Sequence, residues 1–275
     1  MSNPVKIGNV FIGKNRPLVL IAGPCVIESE KHCIKMAKEL KKISDSVKVP
    51  FIFKSSYDKA NRMNLRSYRG PGLKGGLKIL EKVKKRVGIP VLTDIHTQEE
   101  IEQVAAVVDV IQIPALLCRQ TDLIMKAAKT KKPLNIKKGQ FISPWDMKYI
   151  IGKACSAGNN KVMVTERGYS FGYNNLVSDI RSLPILAANN VPVIFDVTHS
   201  LQLPGAGAGS SGGQSEFIPY LARAAVGAGC DAVFIETHDN PSKAFCDGPN
   251  MFKIGNLKKL LDQLTRIDRI VKSNV

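Results

Sequence analysis

Residues 191–200 have the sequence VPVIFDVTHS, a run of apolar and β-branched residues that ends in aspartate, threonine and histidine. Two other segments have the same form, LVLIAGPC at 18–25 and DAVFIETH at 231–238. Runs that are apolar on both faces are typical of parallel strands buried beneath helices. We therefore predict three buried parallel strands whose carboxyl ends carry thiol, imidazole and carboxylate side chains.

The same alternation of apolar runs and amphipathic helical patterns extends along the whole chain. Eight strand-and-helix units in 275 residues indicate an α/β fold and fit a (β/α)8 TIM barrel better than an open doubly wound sheet. Periodicity does not show whether a sheet closes, so the open sheet stays an alternative. The predicted strands are 18–24, 51–55, 90–94, 109–113, 134–138, 161–166, 191–197 and 231–236. The predicted helices are 29–43, 74–87, 97–106, 120–131, 144–157, 174–189, 215–228 and 256–272.

The segment before the first predicted strand, residues 5–17, has the sequence VKIGNVFIGKNRP. Gly8 and Asn9 lie between two short apolar stretches, which is typical of a tight hairpin turn. We predict a short N-terminal β-hairpin that plugs the amino-terminal end of the barrel. The sequence shows no internal repeat and no linker, so we predict one barrel domain over 1–275, with 1–17 as its hairpin extension.

Three predicted connections from a strand to the next helix are long, 55–73, 198–214 and 237–255. In a barrel, loops in this position form the active face. The middle connection contains LQLPGAGAGSSGGQ, which is rich in glycine and lacks the motif of a phosphate-binding P-loop. We interpret it as a mobile lid rather than a passive linker.

The composition argues against several classes of protein. The net charge is +17, but the lysines are spread over the predicted helices and aromatic residues are only 6% of the chain. A non-catalytic nucleic-acid-binding protein is therefore not favoured, although it stays an alternative.

No segment approaches the ~18 apolar residues of a transmembrane helix, so we expect no membrane partner. No secretory signal is visible and the six cysteines form no CxxC pair, so we expect free thiols in a reducing cytoplasm.

The ends of the predicted strands carry residues that suit a metal site. Cys25, His199 and Glu236 end three of the apolar runs, and Asp247 follows the last strand in the segment CDGPN. One thiol, one imidazole and two carboxylates suit a divalent transition metal such as zinc or ferrous iron. Cys246 competes with Asp247 as a ligand, and a Cys25 that is merely packed at a strand end is the simpler alternative.

Cationic and amide side chains also gather at strand ends. The segment FKSSYDKANR at 53–62 combines lysines and an arginine with serines, and NIKKGQF and TERG end the fifth and sixth predicted strands. Such groups bind phosphate or carboxylate. Because several successive strand ends carry cations, we predict a ligand with more than one anionic group. These residues are Lys54, Lys59, Arg62, Gln112, Arg119, Lys137, Lys138 and Arg167.

Eight segments, in order over nearly the whole chain, carry a resemblance to a known family: AGPCVIES, FKSSYDKANR, SYRGPG, IQIPALLCRQTDL, NIKKGQF, TERGYSFGYNNLVSD, FDVTHSLQLPG and ETHDNPSKAFCDGPN. They resemble the 3-deoxy-D-manno-octulosonate 8-phosphate synthases. The resemblance implies a cytoplasmic homotetramer of (β/α)8 barrels that condenses phosphoenolpyruvate with D-arabinose 5-phosphate. The implied products are the eight-carbon sugar acid phosphate and inorganic phosphate, on the route to the lipopolysaccharide sugar Kdo.

The resemblance also implies roles for particular residues. Cys25 and the CDG segment at 246–248 resemble the metal-dependent class, because the metal-independent class has asparagine at the position of Cys25. A divalent ion (Fe, Zn, Mn, Co or Cd) would then be held by Cys25, His199, Glu236 and Asp247. The implied phosphoenolpyruvate residues are Lys54, Ser56, Lys59, Lys137, Gln140 and Arg167. The implied pentose phosphate residues are Asn61, Arg62, Gln112 and Arg119, the last two reaching from a neighbouring subunit. The implied catalytic residues are Lys54, Lys59, Lys137, Arg167 and His199.

Two features of the 59–64 segment bear on the acceptor sugar. Met63 and Asn64 stand where some relatives have serines, which removes a possible hydroxyl contact to the sugar phosphate. The closest alternative family is 3-deoxy-D-arabino-heptulosonate 7-phosphate synthase, which uses erythrose 4-phosphate and shares the barrel and the GPC segment. Its acceptor loop is typically Lys-Pro-Arg-Thr, whereas residues 59–62 here are Lys-Ala-Asn-Arg.

Overall fold

The computed structural model of the chain describes residues 3–13, 15–207 and 210–273. The predicted domain 1–275 and its extension 1–17 therefore include positions outside the described residues. Positions 208 and 209 of the glycine-rich connection also lie outside them.

Eight parallel strands, each followed by a helix, form the body of the protein. Consecutive strands are hydrogen-bonded to one another in chain order. The strands β1 to β8 are Val19–Gly23, Phe51–Lys54, Val91–Asp94, Val110–Ile113, Leu134–Lys137, Val162–Glu166, Val193–Asp196 and Ala232–His238. The helices α1 to α8 are Glu30–Ser46, Gly72–Val87, Ile101–Val107, Thr121–Lys129, Met147–Ser156, Ser182–Ala187, Ile218–Gly227 and Leu257–Ser273.

The pairing of the last strand closes the sheet. Ala232 of β8 pairs with Val19 of β1 on one side and with Ile194 of β7 on the other. A sheet whose last strand returns to its first has no open edge. The predicted (β/α)8 barrel is therefore confirmed, and the open doubly wound sheet is wrong.

The N-terminal hairpin fills the amino-terminal end of this barrel. Its strands, Val5–Ile7 and Val10–Ile12, pair antiparallel, and Gly8 in the turn has a φ of 58°, which glycine adopts without steric cost. Val5, Ile7, Val10 and Ile12 are buried together with residues that line the barrel interior, including Ile21 and Phe234. The predicted hairpin plug is confirmed.

The sixth helix is shorter than the sequence indicates, because the prediction of a helix over 174–189 is wrong in its first half. Leu176–Val177 instead forms a two-stranded hairpin with Tyr169–Ser170, and α6 begins only at Ser182. The cause is local: Asn174 has a φ of 53°, and the Asp179 carboxylate accepts a hydrogen bond from the backbone N–H of Arg181 at 3.0 Å. Short polar side chains that bond to their own backbone compete with helix formation.

The glycine-rich connection between β7 and α7 also has regular structure. Its strands, Gln202–Gly207 and Ser210–Gly213, pair antiparallel. The Asn250 side chain donates a hydrogen bond to the carbonyl oxygen of Gly212 at 3.0 Å, so this hairpin contacts the loop that follows β8. Its role as a mobile lid stays a prediction. Within the described ranges, every helix is too short or too polar to span a lipid bilayer.

Candidate active site

A cavity of about 340 Å³ lies at the carboxyl ends of the strands, where the sequence places the active face. The side chains around it come from several strands and from the loops that follow them. Polar and charged members of this lining are Lys54, Lys59, Asn61, Arg62, Asp94, His96, Gln112, Lys137, Gln140, Arg167, His199, Gln202 and Asp247.

The four predicted metal ligands converge beside this cavity. The Nε2 atom of His199 lies 3.4 Å from Oε2 of Glu236 and 4.0 Å from Oδ2 of Asp247, and the Sγ atom of Cys25 lies 3.6 Å from the same Asp247 oxygen. A thiol, an imidazole nitrogen and carboxylate oxygens at these separations are a donor set that fits a zinc-like or ferrous ion. The residues present therefore fit the ion that the sequence predicts.

The local backbone conformation helps to position two of these residues, Cys25 and Asp247. A side chain at Gly23 would collide with the backbone carbonyl of Lys54, so glycine is required where β1 passes β2 just before Cys25. Asp247 has a φ of 47°, in the left-handed region that non-glycine residues rarely adopt. Such strained residues are concentrated at ligand-binding and catalytic sites, which supports a functional role for the Asp247 carboxylate.

Cys246 remains a competing ligand. Its Sγ atom lies 2.6 Å from Sγ of Cys25, and both thiols are buried. Burial raises the pKa of the Cys25 thiol, and the neighbouring Cys246 raises it further. Because a metal ligand must be the thiolate, a nearby cation is needed to hold Cys25 in its ionised form.

Asp196 positions His199, and the sequence analysis did not predict this role. Its Oδ2 atom lies 2.7 Å from Nδ1 of His199 and 2.6 Å from Nζ of Lys137. Burial alone would raise the pKa of Asp196, but the neighbouring His199 and Lys137 hold that pKa well below its usual value. When Nδ1 donates its proton to this carboxylate, Nε2 is left with a lone pair that faces Glu236. The sequence does show this aspartate at the end of the apolar run VIFD, and that position is the signal that could have predicted the role.

Glu236 lies among cations. The Nζ atom of Lys54 donates to Oε1 of Glu236 at 2.7 Å and to the backbone carbonyl of Cys25 at 3.2 Å, and Nζ of Lys59 lies 3.9 Å from the same glutamate oxygen. Burial would raise the pKa of Glu236, but Lys54, His199 and Lys59 lower it strongly. Glu236 is therefore an ionised carboxylate that connects the candidate metal ligands to the lysines of the cavity.

Asp94 is a second buried carboxylate that the sequence analysis missed. It accepts a hydrogen bond from the Ser56 hydroxyl at 2.5 Å, and its other oxygen lies 3.7 Å from Nε2 of His96. Burial would raise the pKa of Asp94, but the charges of Lys54, His96 and Lys59 lower it to about 2. Ser56, predicted to contact the anionic substrate, therefore directs its hydroxyl toward Asp94.

Several predicted anion-binding groups face the cavity with unused hydrogen-bonding capacity. Arg167 is buried and donates through Nη2 to the Gln202 side chain at 3.0 Å, whereas its Nη1 atom is buried without a partner. The Oε1 atom of Gln140 is also buried without a partner. Burial lowers the pKa of Lys137, and the Asp196 carboxylate opposes that shift. An unpaired buried donor is costly unless a ligand satisfies it, so Nη1 of Arg167 indicates an anion-binding site, whereas the Gln140 oxygen would accept a hydrogen bond from a ligand.

The predicted pentose phosphate residues occupy two different places. Asn61, Arg62 and Gln112 line the cavity of their own chain, and Nη1 of Arg62 lies 3.6 Å from Oδ1 of Asp247. Gln112 is buried and accepts a hydrogen bond from the Asn135 side chain at 3.0 Å, a position that does not fit the expected reach from a neighbouring subunit. Arg119 is exposed and does not belong to the lining.

Comparison with known proteins identifies the family of this chain. Residues 2–273 match the model of the DAHP synthetase I family. The chain is 59% identical over 272 residues to a 2-dehydro-3-deoxyphosphooctonate aldolase of Geotalea daltonii, a match that covers 99% of this chain and 100% of the relative. Proteins with the same name from Geobacter sulfurreducens and Coxiella burnetii are each 55% identical, over 99% and 98% of this chain and 100% and 96% of the relative. The chain therefore belongs to the DAHP synthetase I family and, within it, to the 2-dehydro-3-deoxyphosphooctonate aldolases.

Proposed function

We propose that this chain condenses phosphoenolpyruvate with D-arabinose 5-phosphate and water. The products are 3-deoxy-D-manno-octulosonate 8-phosphate and inorganic phosphate, in the synthesis of Kdo for lipopolysaccharide. The observation that carries the proposal is the convergence of Lys54, Lys59, Lys137 and Arg167 with the candidate metal ligands at one end of the barrel. The relatives named after this aldolase over their full length support it.

The cations of the cavity suit phosphoenolpyruvate, because this substrate carries a carboxylate and a phosphate ester on the same carbon atom. Arg167 offers a buried Nη1 that has no partner among the described residues, and Lys59 and Lys137 add ammonium donors in the same lining. Gln140 provides an amide beside them, and Ser56 acts indirectly by fixing Asp94. Buried cations bind anions more strongly than exposed ones because less water screens them.

The acceptor sugar would occupy the other side of the cavity. Asn61, Arg62 and Gln112 present amides and a guanidinium there, which suit hydroxyl and phosphate groups. Arg119 is exposed on its own chain and would complete the sugar phosphate site of a neighbouring copy in a homotetramer.

The reaction joins C3 of phosphoenolpyruvate to the aldehyde carbon of the sugar, while the oxygen of a water molecule adds at C2. The proton that the water loses on attack is matched by the proton that converts the aldehyde oxygen to a hydroxyl. The phosphate leaves with the electron pair of the bond between C2 and its ester oxygen, and the hydroxyl on C2 passes its proton to the phosphate as the ketone forms. The cations hold both substrates in a near-attack arrangement and stabilise the charge that develops at C2 and at the aldehyde oxygen. Asp94 lines the cavity as an ionised carboxylate that accepts a hydrogen bond from the Ser56 hydroxyl, and its low pKa makes it a weak proton acceptor.

We also propose that the chain belongs to the metal-dependent class. Cys25, His199, Glu236 and Asp247 would hold a divalent ion of Fe, Zn, Mn, Co or Cd. When bound, such an ion supplies Lewis acidity that lowers the pKa of water or orients the aldehyde. We favour the orienting role, because the metal-independent class of the family performs the same condensation without an ion. Asp196 fixes the ring of His199 for that role, and Lys54 fixes the carboxylate of Glu236.

The decisive experiment is release of inorganic phosphate from phosphoenolpyruvate with each of two acceptors. We expect turnover with D-arabinose 5-phosphate and far slower turnover with erythrose 4-phosphate. Comparable or faster turnover with erythrose 4-phosphate would instead support a 3-deoxy-D-arabino-heptulosonate 7-phosphate synthase. No turnover with either acceptor, together with tight salt-dependent binding to DNA, would favour the nucleic-acid-binding alternative.

A further inference from the structure

A second group of potential metal ligands lies outside the active site. Glu28 lies in the loop between β1 and α1, His32 lies in the first turn of α1, and His238 is the last residue of β8. One ligand atom from each of the three lies within 4.8 Å of the others. We call these three residues the α1–β8 cluster.

The two histidine nitrogens that face Glu28 are unsatisfied. The Nε2 atom of His238 lies 3.3 Å from Oε1 of Glu28, and Nδ1 of His32 lies 3.8 Å from Oε2 of the same carboxylate. Both nitrogens are buried, and neither has a hydrogen-bond partner among the described residues. The His238 side chain is only 5% exposed, so water does not readily replace the missing partner. Buried polar atoms without partners are costly, and a bound cation is one way to satisfy them.

The opposite ring nitrogens have a shared partner. The Oδ1 atom of Asp239 lies 3.1 Å from Nε2 of His32 and 3.1 Å from Nδ1 of His238, and Nζ of Lys35 holds its other oxygen at 2.7 Å. The backbone N–H of Asn240 donates to both Nδ1 of His238 at 2.9 Å and this Asp239 oxygen at 3.1 Å. With an ion bound, the Asn240 N–H would donate to Asp239 alone and the Nδ1 proton of His238 would point to the same carboxylate. Each histidine would then present a lone pair toward Glu28. A carboxylate that takes the second N–H of each imidazole is the usual partner of a metal-bound histidine.

We propose that the α1–β8 cluster binds a second divalent transition-metal ion of the zinc type, through Glu28, Nδ1 of His32 and Nε2 of His238. Two imidazoles and one carboxylate match the three protein ligands of many zinc sites, with water in the remaining position. The cluster contains no thiol, which separates its chemistry from that of the site around Cys25.

The position of the cluster indicates what the ion does. Oε1 of Glu28 also accepts a hydrogen bond from the backbone N–H of Phe245 at 2.9 Å. Phe245 directly precedes Cys246 and Asp247, so Glu28 connects α1 and β8 to the loop that carries the active-site carboxylate. The bound ion therefore fixes the base of that loop and stabilises the fold, and it takes no part in the chemical step.

The first test measures how many metal ions each chain binds. Metal-free protein is loaded with zinc, dialysed and analysed for zinc per chain. We expect His32→Gln and Glu28→Gln to bind one ion fewer than the parent chain, whereas Cys25→Ser keeps the ion that those variants lose. Glu39→Gln, which removes a carboxylate from the same helix but outside the cluster, should bind as many ions as the parent. Equal zinc content in His32→Gln and the parent chain would overturn the proposal.

A second measurement separates this site from the proposed activity. Cobalt(II) bound by Cys25 shows a thiolate-to-metal absorption band, whereas cobalt in the α1–β8 cluster shows only ligand-field bands. In Cys25→Ser the ligand-field bands should persist, and they should vanish when His32→Gln is added. Zinc should also raise the unfolding temperature of Cys25→Ser and leave that of the double variant unchanged. If the double variant keeps the ligand-field bands and the rise in unfolding temperature, the second metal site is wrong and the two histidines form only a buried ionic cluster. If the double variant loses both responses and the parent chain has no aldolase activity, the second metal site stands and only the proposed function fails.

Discussion

The Nδ1 atom of His199 lies 2.7 Å from the Oδ2 atom of Asp196, a carboxylate that is fully buried. The backbone N–H groups of Thr198 and His199 donate to the other oxygen of Asp196 at 3.1 Å and 2.9 Å. This carboxylate therefore fixes both the imidazole ring and the backbone that carries it. The orientation of the candidate metal ligand His199 depends on a residue that touches neither metal nor substrate.

The first prediction concerns this pair. Asp196→Asn keeps the size of the side chain but removes the charge that favours a proton on Nδ1 of His199. We expect metal affinity and kcat to fall by about tenfold to hundredfold, the usual effect of losing the carboxylate partner of a metal-bound histidine. Metal titration and steady-state kinetics measure both quantities. Asp179→Asn, which changes an exposed aspartate paired with Arg181, is the control, and equal behaviour of the two variants would contradict the role of Asp196.

The second prediction concerns metal dependence. Chelation by EDTA should abolish turnover and a divalent ion should restore it, because the thiol, imidazole and carboxylates that converge at the site form a donor set for such an ion. Cys25→Ala should lose metal and activity together, whereas Cys155→Ala, at an exposed thiol, should lose neither. Cys246→Ser and Asp247→Asn, compared by elemental analysis, identify which of the two is the remaining ligand. A chelated enzyme with no residual metal and full turnover would show that Cys25 is only packed at the end of its strand.

The third prediction concerns assembly. If Arg119 completes the sugar phosphate site of a neighbouring copy, Arg119→Ala should raise the Michaelis constant for D-arabinose 5-phosphate and change kcat little. Removal of one phosphate contact at a partly exposed site should cost about tenfold in that constant. Arg181→Ala provides a matched control, since Arg181 is exposed and paired with Asp179. Sedimentation of a fully active monomer would contradict this prediction.

The fourth prediction follows from the low pKa of Asp94. Its pKa in the folded chain is about 2 against 3.8 for the ordinary group. A carboxylate with a depressed folded-state pKa stabilises the fold above its unfolded pKa, and that contribution is lost as pH falls from the unfolded value through the folded one. The difference corresponds to on the order of 2 kcal/mol.

Asp94→Asn keeps an oxygen to accept the Ser56 hydrogen bond but cannot ionise. We expect the free energy of unfolding of the parent chain to fall between about pH 5 and pH 2 more steeply than that of Asp94→Asn. Urea denaturation at several pH values measures the two slopes. Identical slopes would mean that Asp94 gains no stabilising charge interactions on folding.

The fold and the outline of the candidate site follow from local sequence. Apolar runs that are followed by helices specify parallel strands, and the carboxyl ends of those strands must meet on one face of a barrel. That rule is enough to bring Cys25, His199, Glu236 and Asp247 together across more than two hundred positions of chain. The sequence therefore contains the geometry of the site in its pattern of strand ends.

The parts that the sequence does not predict depend on directions of side chains. Asp196 and Asp94 end their strands and Glu236 lies near the end of its own, and nothing in their neighbours along the chain shows whether they face a ligand, a histidine or a serine. The resemblance implied that Gln112 reaches from a neighbouring subunit, and the sequence alone does not show that this side chain lines the cavity of its own chain. The first half of the helix predicted over 174–189 failed because Asn174 adopts a left-handed backbone conformation and the Asp179 carboxylate accepts the backbone N–H of Arg181, neither of which a count of apolar spacings registers.

The hairpin that occupies the amino-terminal end of the barrel has a consequence for the route by which small molecules reach the cavity. With Ile7 and Ile12 buried in the barrel interior, the described residues of the hairpin fill that end. On the proposed function, substrates and products would exchange through the opposite mouth, where Arg62 and Ser211 of the glycine-rich hairpin line the cavity. A substrate bound deep in that cavity would then enter before one bound near the mouth and leave after it, so the filled end of the barrel would set the order of binding at the other end.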